Sequence, residues 1–218
     1  MSKISTKPFK CPSCGYEGKF TMYDSVNVTL DPSLREKVLS SEVFDWVCPK
    51  CKEQLSIRHN LLYHDMDRKF QIYYAPNNCE AVCQMMNDMM TKYPGMRSKC
   101  RTAESLNALR EKVYIFEAGL DDIAIELAKA VMKYSKDNTI PENCELRFEK
   151  TLQVSESAPV KLLFRQIIDG QPQEGIILYD KSNYDNFLHE VTTNIAYKMD
   201  KFCDTINEEW IIQRITNK

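Results

Sequence analysis

Four of the nine cysteines fall into a repeated pattern, Cys11-Pro12-Ser13-Cys14 and Cys48-Pro49-Lys50-Cys51, with thirty-three residues between the copies. Two residues between cysteines let both sulfurs turn toward one point. Two such knuckles supply four thiolates, the tetrahedral set that zinc prefers. Gly15 follows the first pair and can take a positive φ, which lets backbone N–H groups aim at the sulfurs. Lys52 stands at the equivalent place in the second copy. A left-handed lysine costs about 1–2 kcal/mol, so the spacing predicts a less regular second knuckle. Lys50 and Lys52 would offset the negative charge of four thiolates around a divalent ion. The expectation is one structural zinc at Cys11, Cys14, Cys48 and Cys51. A redox pair at a helix N-terminus and an iron–sulfur cluster are the alternative uses of such cysteines. Neither pair, however, leads into a strongly amphipathic helix, and the motif occurs twice. A site closed by four cysteines keeps no open position for catalysis, and packed sulfurs would yield slowly to oxidants.

The remaining candidates carry weaker chemistry. Cys79 and Cys83 lie four apart on a predicted helix, hence on one face; they could serve a metal or a redox sensor, but the favoured reading is that they pack as small hydrophobes. Cys100, Cys144 and Cys203 are isolated and read as packing residues. The methionines of "CQMMNDMM" recur at helical spacing, which fits a core face or an adaptable peptide groove. His59 and His64 are five apart, so a strand would point them to opposite sides. His64 beside Asp65 reads as an exposed polar turn rather than an acid–base pair, and His189 has no evident partner. No Gly-rich phosphate loop, G-x-S-x-G elbow or HExxH motif occurs.

The elements that must position these residues follow from periodicity. In "SVNVTL", Val26, Val28 and Leu30 alternate as a half-buried strand. "DPSLREKVL" opens a helix over 31–40, with Asp31 as N-cap and Pro32 at its first position. "VFDWV" returns as a strand into Cys48. "SIRHNLLYHDMDRKFQIYYAP" reads as a hairpin: Ile57, His59, Leu61 and Tyr63 alternate, then Phe70, Ile72 and Tyr74, about a turn at "DMDR". A helix is expected over 78–93, with Val82, Met86, Met89 and Tyr93 on one stripe. A helical hairpin follows, with Thr102 and Ser105 as candidate caps. Its first helix turns in Leu106, Leu109, Val113 and Phe116 and ends near Gly119; its second turns in Ile123, Leu127, Val131 and Tyr134. The polar stretch 135–144 is the best linker. Beyond it come three strands, then a long helix from Asn183 with Tyr184, Phe187, Val191, Ile195 and Phe202 as its stripe, then "NEEWIIQRI" as a short helix or strand.

Composition narrows the function classes. The charges nearly balance, 29 Lys/Arg against 31 Asp/Glu. Residues 1–60 hold nine Lys/Arg against seven Asp/Glu, so neither the chain nor its cysteine-rich part is a basic surface for nucleic acid. No apolar run approaches the ~20 residues of a membrane span, and the polar N-terminus has no apolar signal core, which leads to the expectation of a cytoplasmic protein. The odd cysteine count and a reducing compartment argue against structural disulfides.

The doubled motif also has a family to match. "CPSCGYEGKFTMYDSVNVTLDPSLREKVLS", the "FDWVCPKC" return, "LLYHDMDRKFQIYY" and "LREKVYIFEAGLDDIAIELAK" together resemble the CpXC-domain proteins of bacteria and archaea. The resemblance covers residues 11 to about 135 and thins after that. It implies a metal-binding, zinc-ribbon-like N-terminal region in a cytosolic prokaryotic protein, and it implies no reaction. Lys52 departs from the glycine expected after the second pair.

The expected architecture is α+β. A zinc-ribbon-like β module with an inserted helix and a helical hairpin occupies 1–138, as a CpXC-like zinc-binding domain. A smaller α+β unit occupies 139–218. The expected role is a non-enzymatic interaction module stabilised by structural zinc and binding protein. The alternatives are a thiol-based redox protein that releases zinc on oxidation, and a nucleic-acid-binding ribbon using Tyr16, Phe20 and Tyr23.

Overall fold

The computed structural model describes residues 1–95, 98–135 and 140–216. It is mixed α and β, and its compact units are Met1–Leu109 and Arg110–Lys218. The boundary expected at 138/139 and the middle of the expected linker lie outside the described residues.

In the first unit the strands are β1 (Lys3–Lys10), β2 (Glu17–Asn27), β3 (Asp45–Val47), β4 (Gln54–Ser56), β5 (Leu61–Asp65), β6 (Phe70–Tyr74) and β7 (Lys99–Ala103). Strands β1-β2-β5-β6-β7 are neighbours in that order, and β3 pairs with β4 alone. The hairpins β1–β2 and β5–β6 are antiparallel, whereas β2–β5 and β6–β7 are parallel. Parallel neighbours need a crossover. Helix α2 (Cys79–Lys92) supplies one between β6 and β7. The other, between β2 and β5, carries α1 (Leu34–Leu39), a 3-10 turn at Glu42–Phe44 and the β3–β4 hairpin. Both strands of the central hairpin put large side chains on one face: Leu61, Tyr63, Phe70, Ile72 and Tyr74 are all buried, with Tyr63 and Phe70 stacked at 6.0 Å.

Several local expectations are corrected here. Helix α1 begins at Leu34, not at Pro32, and Ser33 occupies the cap position without a side-chain bond. Asp31 instead accepts from the Ser2 backbone N–H at 3.1 Å, and its own carbonyl takes the Leu34 N–H in a tight turn. Val26 and Val28 are buried, but Leu30 lies past the strand end and is exposed. His59 precedes the hairpin rather than lying in it. The α2 stripe is buried at Val82, Cys83 and Met86 and runs out into solvent at Met89 and Tyr93.

Helix α3 (Leu106–Glu117) straddles the division between the units, with Ser105 Oγ accepting from the Ala108 N–H at 3.0 Å as its cap. Thr102, the other candidate cap, is buried in β7. Helix α4 (Asp122–Tyr134) is capped by Asp121, whose carboxylate accepts from the Ile123 and Ala124 N–H groups. Within the second unit, Lys112 sits 3.1 Å from Asp122, and Lys129 sits 3.0 Å from Glu111, tying the two helices together through buried charges. Strands β8 (Cys144–Leu152), β9 (Lys161–Ile168) and β10 (Gln171–Asp180) form an antiparallel sheet in the order β10-β9-β8. Helix α5 (Lys181–Thr193) stops at Asn194, so the expected long helix to Phe202 does not form. A 3-10 turn at Ile195–Tyr197 follows, and Ile195 is 84% exposed. The stretch "NEEWIIQRI" resolves as a helix, α6 (Glu208–Thr216). No helix among the described residues is long and apolar enough to cross a membrane.

Candidate metal centre

Each cysteine motif is the turn of a hairpin. Cys11 to Cys14 join β1 to β2, and Cys48 to Cys51 join β3 to β4. The two turns are built alike. The Cys11 N–H donates to the Tyr16 carbonyl at 2.8 Å, and the Gly15 N–H donates back to the Cys11 carbonyl at 2.9 Å. In the second turn the Cys48 N–H donates to the Glu53 carbonyl at 2.8 Å, and the Lys52 N–H donates to the Cys48 carbonyl at 2.9 Å. Gly15 has φ 69° and Lys52 has φ 64°. The second knuckle is therefore as regular as the first, contrary to the expectation. Lysine accepts the left-handed backbone because two hydrogen bonds and the hairpin on either side leave it no other course.

The four sulfurs lie within 4.8 Å of one another and form the only cluster of three or more metal-ligating side chains found among the described residues. Two sulfur contacts run between the knuckles, Cys11 Sγ to Cys51 Sγ and Cys14 Sγ to Cys48 Sγ, each 3.6 Å. A tetrahedral zinc with four Zn–S bonds near 2.3 Å spaces its sulfurs about 3.8 Å apart. The donor set and the spacing therefore fit a zinc-sized ion. Four cysteine sulfurs, one from each motif position, would hold it; when bound it supplies a charge and a staple, and four sulfurs fill its coordination.

Electrostatics within the turns favour deprotonation at one sulfur. Burial works against ionising Cys48, but the Cys51 and Lys50 backbone N–H groups and the Cys51 and Cys14 thiols point at its sulfur and bring its pKa down to about 6. At Cys51 the Glu53 backbone favours the thiolate, yet partial desolvation and the three neighbouring thiols together push it up to about 12. Metal binding needs thiolates, so filling such a site releases protons.

The support around the sulfurs is aromatic. Cys11, Cys48, Phe20 and Trp46 form a small buried core against which Phe9, Met22, Leu55 and Ile57 pack. Phe9 and Trp46 meet edge to face at 4.9 Å, and Trp46 Nε1 donates to the Lys19 carbonyl at 3.1 Å. A Cβ at Gly18 would lie 2.8 Å from the Tyr16 ring and 3.4 Å from Trp46, so a larger residue there would displace the exposed Tyr16 ring. The His59 ring packs between Phe20 and Phe44, with Nδ1 2.9 Å from the Ile57 carbonyl and Nε2 3.2 Å from the Tyr23 carbonyl. Sequence reasoning overlooked Phe9 and Trp46. The signal was present: an aromatic stands two residues before the first cysteine of each motif.

Burial of the sulfurs is uneven. Cys11 and Cys48 are buried and Cys14 is half-buried, but Cys51 is exposed. The expectation of four packed cysteines fails at that corner, where Cys51 and its neighbours Lys50 and Lys52 are all exposed.

The other candidates are not brought to the site. Cys79 Sγ donates to the Ala75 carbonyl, and Cys83 Sγ contacts Thr102 Oγ1, both at 3.2 Å inside the core. Cys100, Cys144 and Cys203 are buried. Asp65 is not an exposed turn residue: it is 2% exposed and holds the turn by accepting from the Arg68 N–H at 2.9 Å and Arg68 Nη1 at 2.8 Å. Burial lowers the pKa of the neighbouring His64, against the pull of Asp65. His189 is exposed on α5. Of the three aromatics considered for stacking on nucleic acid, Phe20 is buried in the cysteine core, and only Tyr16 is exposed.

Comparison with known proteins places these features in a family. No curated protein and no solved structure gives a match. The family model for the CpXC protein matches residues 9–129, which include both hairpin turns, the aromatic residue before each of them, and the four clustered sulfurs. With more than half of its length matched, the chain belongs to the CpXC family.

Proposed function

We propose that the first unit is an interaction module stapled by one structural zinc at Cys11, Cys14, Cys48 and Cys51, and that it binds protein. The observation that carries the metal reading is the convergence of two hairpin turns on one point with four sulfurs and no other ligand type. Strands β3 and β4 have three residues each, too few to hold a two-stranded hairpin in water. A metal that joins the two turns closes a long loop and removes disorder from the unfolded chain. Binding of zinc to such sites is folding free energy, on the order of 10 kcal/mol in small fingers. Protein binding is supported by the methionine face of α2, where Met85 is 47% and Met89 38% exposed beside Gln84, Asp88 and Lys92. Unbranched, polarisable methionines adapt to partner side chains.

Elemental analysis of protein purified without added metal should give one zinc per chain. Cys48→Ser should lose the metal and loosen residues 9–75 together in hydrogen exchange. N-terminal amides as protected in Cys48→Ser as in the parent would show that the cluster is not a staple. Affinity capture with the parent chain and with a Met85→Asp, Met89→Asp variant tests the partner surface; equal recovery of the same protein by both would exclude the α2 face.

A further inference from the structure

Helix α2 carries apolar residues on two sides. Val82, Cys83 and Met86 are buried, whereas Met85, Met89 and, at the C-cap, Tyr93 form a second stripe that faces solvent, Tyr93 being 54% exposed. Spacings of four residues put these three on one ridge about 12 Å long. Gln84, Asp88 and Lys92 form the neighbouring ridge at the same spacing, all exposed, and an open groove is lined by both. Lys92 Nζ lies 5.6 Å from the Tyr93 ring centroid, so its charge borders the stripe. We infer that this face pairs with the same face of a second copy of the chain, the two α2 helices running antiparallel about a two-fold axis level with Met90. The inference rests on the protein-binding reading of α2 proposed above and names the partner.

Charge complementarity selects this occupant and its register. A two-fold axis perpendicular to both helices keeps the Asp88 ridge of each copy on the same edge of the contact. Asp88 and Lys92 lie two residues on either side of Met90, so each Asp88 comes level with Lys92 of the second copy. Two opposite-charge pairs form, and the like charges stand about 6 Å apart along the axes. The stripe stays in register: Met89 meets Met89 and Tyr93 of the second copy, and Met85 meets its Tyr93, each offset along the axes by about 3 Å. Sliding one helix by four residues would instead bring Asp88 level with Asp88, or Lys92 level with Lys92, and like-charge contacts reject a register. Parallel helices would carry the two Asp88 ridges to opposite edges and form neither pair. Unbranched methionines adapt to one another across such a contact. Three apolar residues per copy make a small interface, so the pair is weak and concentration-dependent rather than obligate.

Sedimentation velocity of the full chain as purified, from about 5 to about 500 µM, reads the association. The average mass should climb toward that of two chains, and a Met85→Asp, Met89→Asp variant should stay a monomer. Asp88→Lys and Lys92→Asp each turn two attractions into two repulsions, and each should weaken self-association by about fivefold or more. An equal mixture of those two variants should regain it, since the copy with two lysines then meets the copy with two aspartates. A monomer across the whole range overturns the inference. So does association that survives Met85→Asp, Met89→Asp, or a mixture no stronger than its components. A monomeric chain that captures another protein, and loses it with Met85→Asp, Met89→Asp, would overturn self-pairing and leave the binding reading of α2 standing. A monomeric chain whose captures are the same with and without those substitutions would overturn both.

Discussion

Lys52→Gly and Gly15→Ala perturb the same backbone position of the two knuckles in opposite directions. Both residues hold left-handed φ, 64° and 69°, and both N–H groups close the turn on the first cysteine's carbonyl at 2.9 Å. A Cβ in that region costs about 1–2 kcal/mol. Glycine there avoids the cost but gives the unfolded chain more freedom, which takes back about 0.5–1 kcal/mol. Lys52→Gly should therefore stabilise the module by about 0.5–1 kcal/mol, and Gly15→Ala should destabilise it by as much. Space does not disturb the second figure, since a Cβ at Gly15 meets only Lys10 Cε at 3.9 Å. The Lys52 side chain is exposed, so little packing is lost with it. Its charge near the thiolates is the competing effect, and Lys52→Ala isolates it by removing the ammonium while keeping the left-handed Cβ. Urea unfolding in a zinc buffer of fixed free concentration reads the result. The midpoint should rise for Lys52→Gly and fall for Gly15→Ala, with unchanged slopes. Zinc affinity should move in parallel by about two- to fivefold. A lower midpoint for Lys52→Gly, matched by Lys52→Ala, would refute the reasoning by showing that the lysine charge outweighs its backbone strain.

Two further outcomes concern the second unit and its approach. Glu149 is partly desolvated, but the hydrogen bonds and charges of Arg165 and Arg147 hold its pKa below the ordinary 4.5. A depressed carboxylate stabilises the fold above its unfolded pKa and loses that contribution as pH falls through the folded value, so the β8–β9 amides should lose protection below pH 4.5 in the parent and less steeply in Glu149→Gln. We also propose that the chain divides near 135–144, where limited proteolysis should cut first; early cleavage elsewhere with resistance there would exclude that division.

Features that depend on spacing along one segment were legible in the sequence. The hairpin at Leu61–Tyr74 and helix α2 follow from alternation and helical period, and both formed close to where the pattern put them. Tertiary context decided the ends. Asp31 has the right chemistry for an N-cap, but the Ser2 backbone claims its carboxylate, and the cap falls two residues later, at Ser33. The apolar residues after Thr193 continue the α5 stripe on paper. Asn194 nonetheless stops the helix, its carboxamide accepting from the Ala196 N–H at 3.0 Å to start a 3-10 turn. Asp65 read as polar and therefore exposed, whereas the Arg68 pairing lets it be buried.

At the candidate site the sequence carried the ligand set but not its asymmetry. Identical C-P-x-C strings with matched hydrogen bonds predict four equivalent sulfurs, and the backbone honours that symmetry even at Lys52. The surroundings do not. Cys11 and Cys48 follow Phe9 and Trp46 at the same spacing, so the first cysteine of each motif is carried into the aromatic core by the strand before it. The second cysteine of each motif follows the turn and takes whatever cover the other hairpin offers. Cys14 keeps part of that cover, and Cys51, at the tip of two three-residue strands, keeps little. The two turns share their sequence pattern and their hydrogen bonds but not the strands that flank them, eight and eleven residues long at the first and three each at the second, and it is the second turn whose last cysteine is exposed.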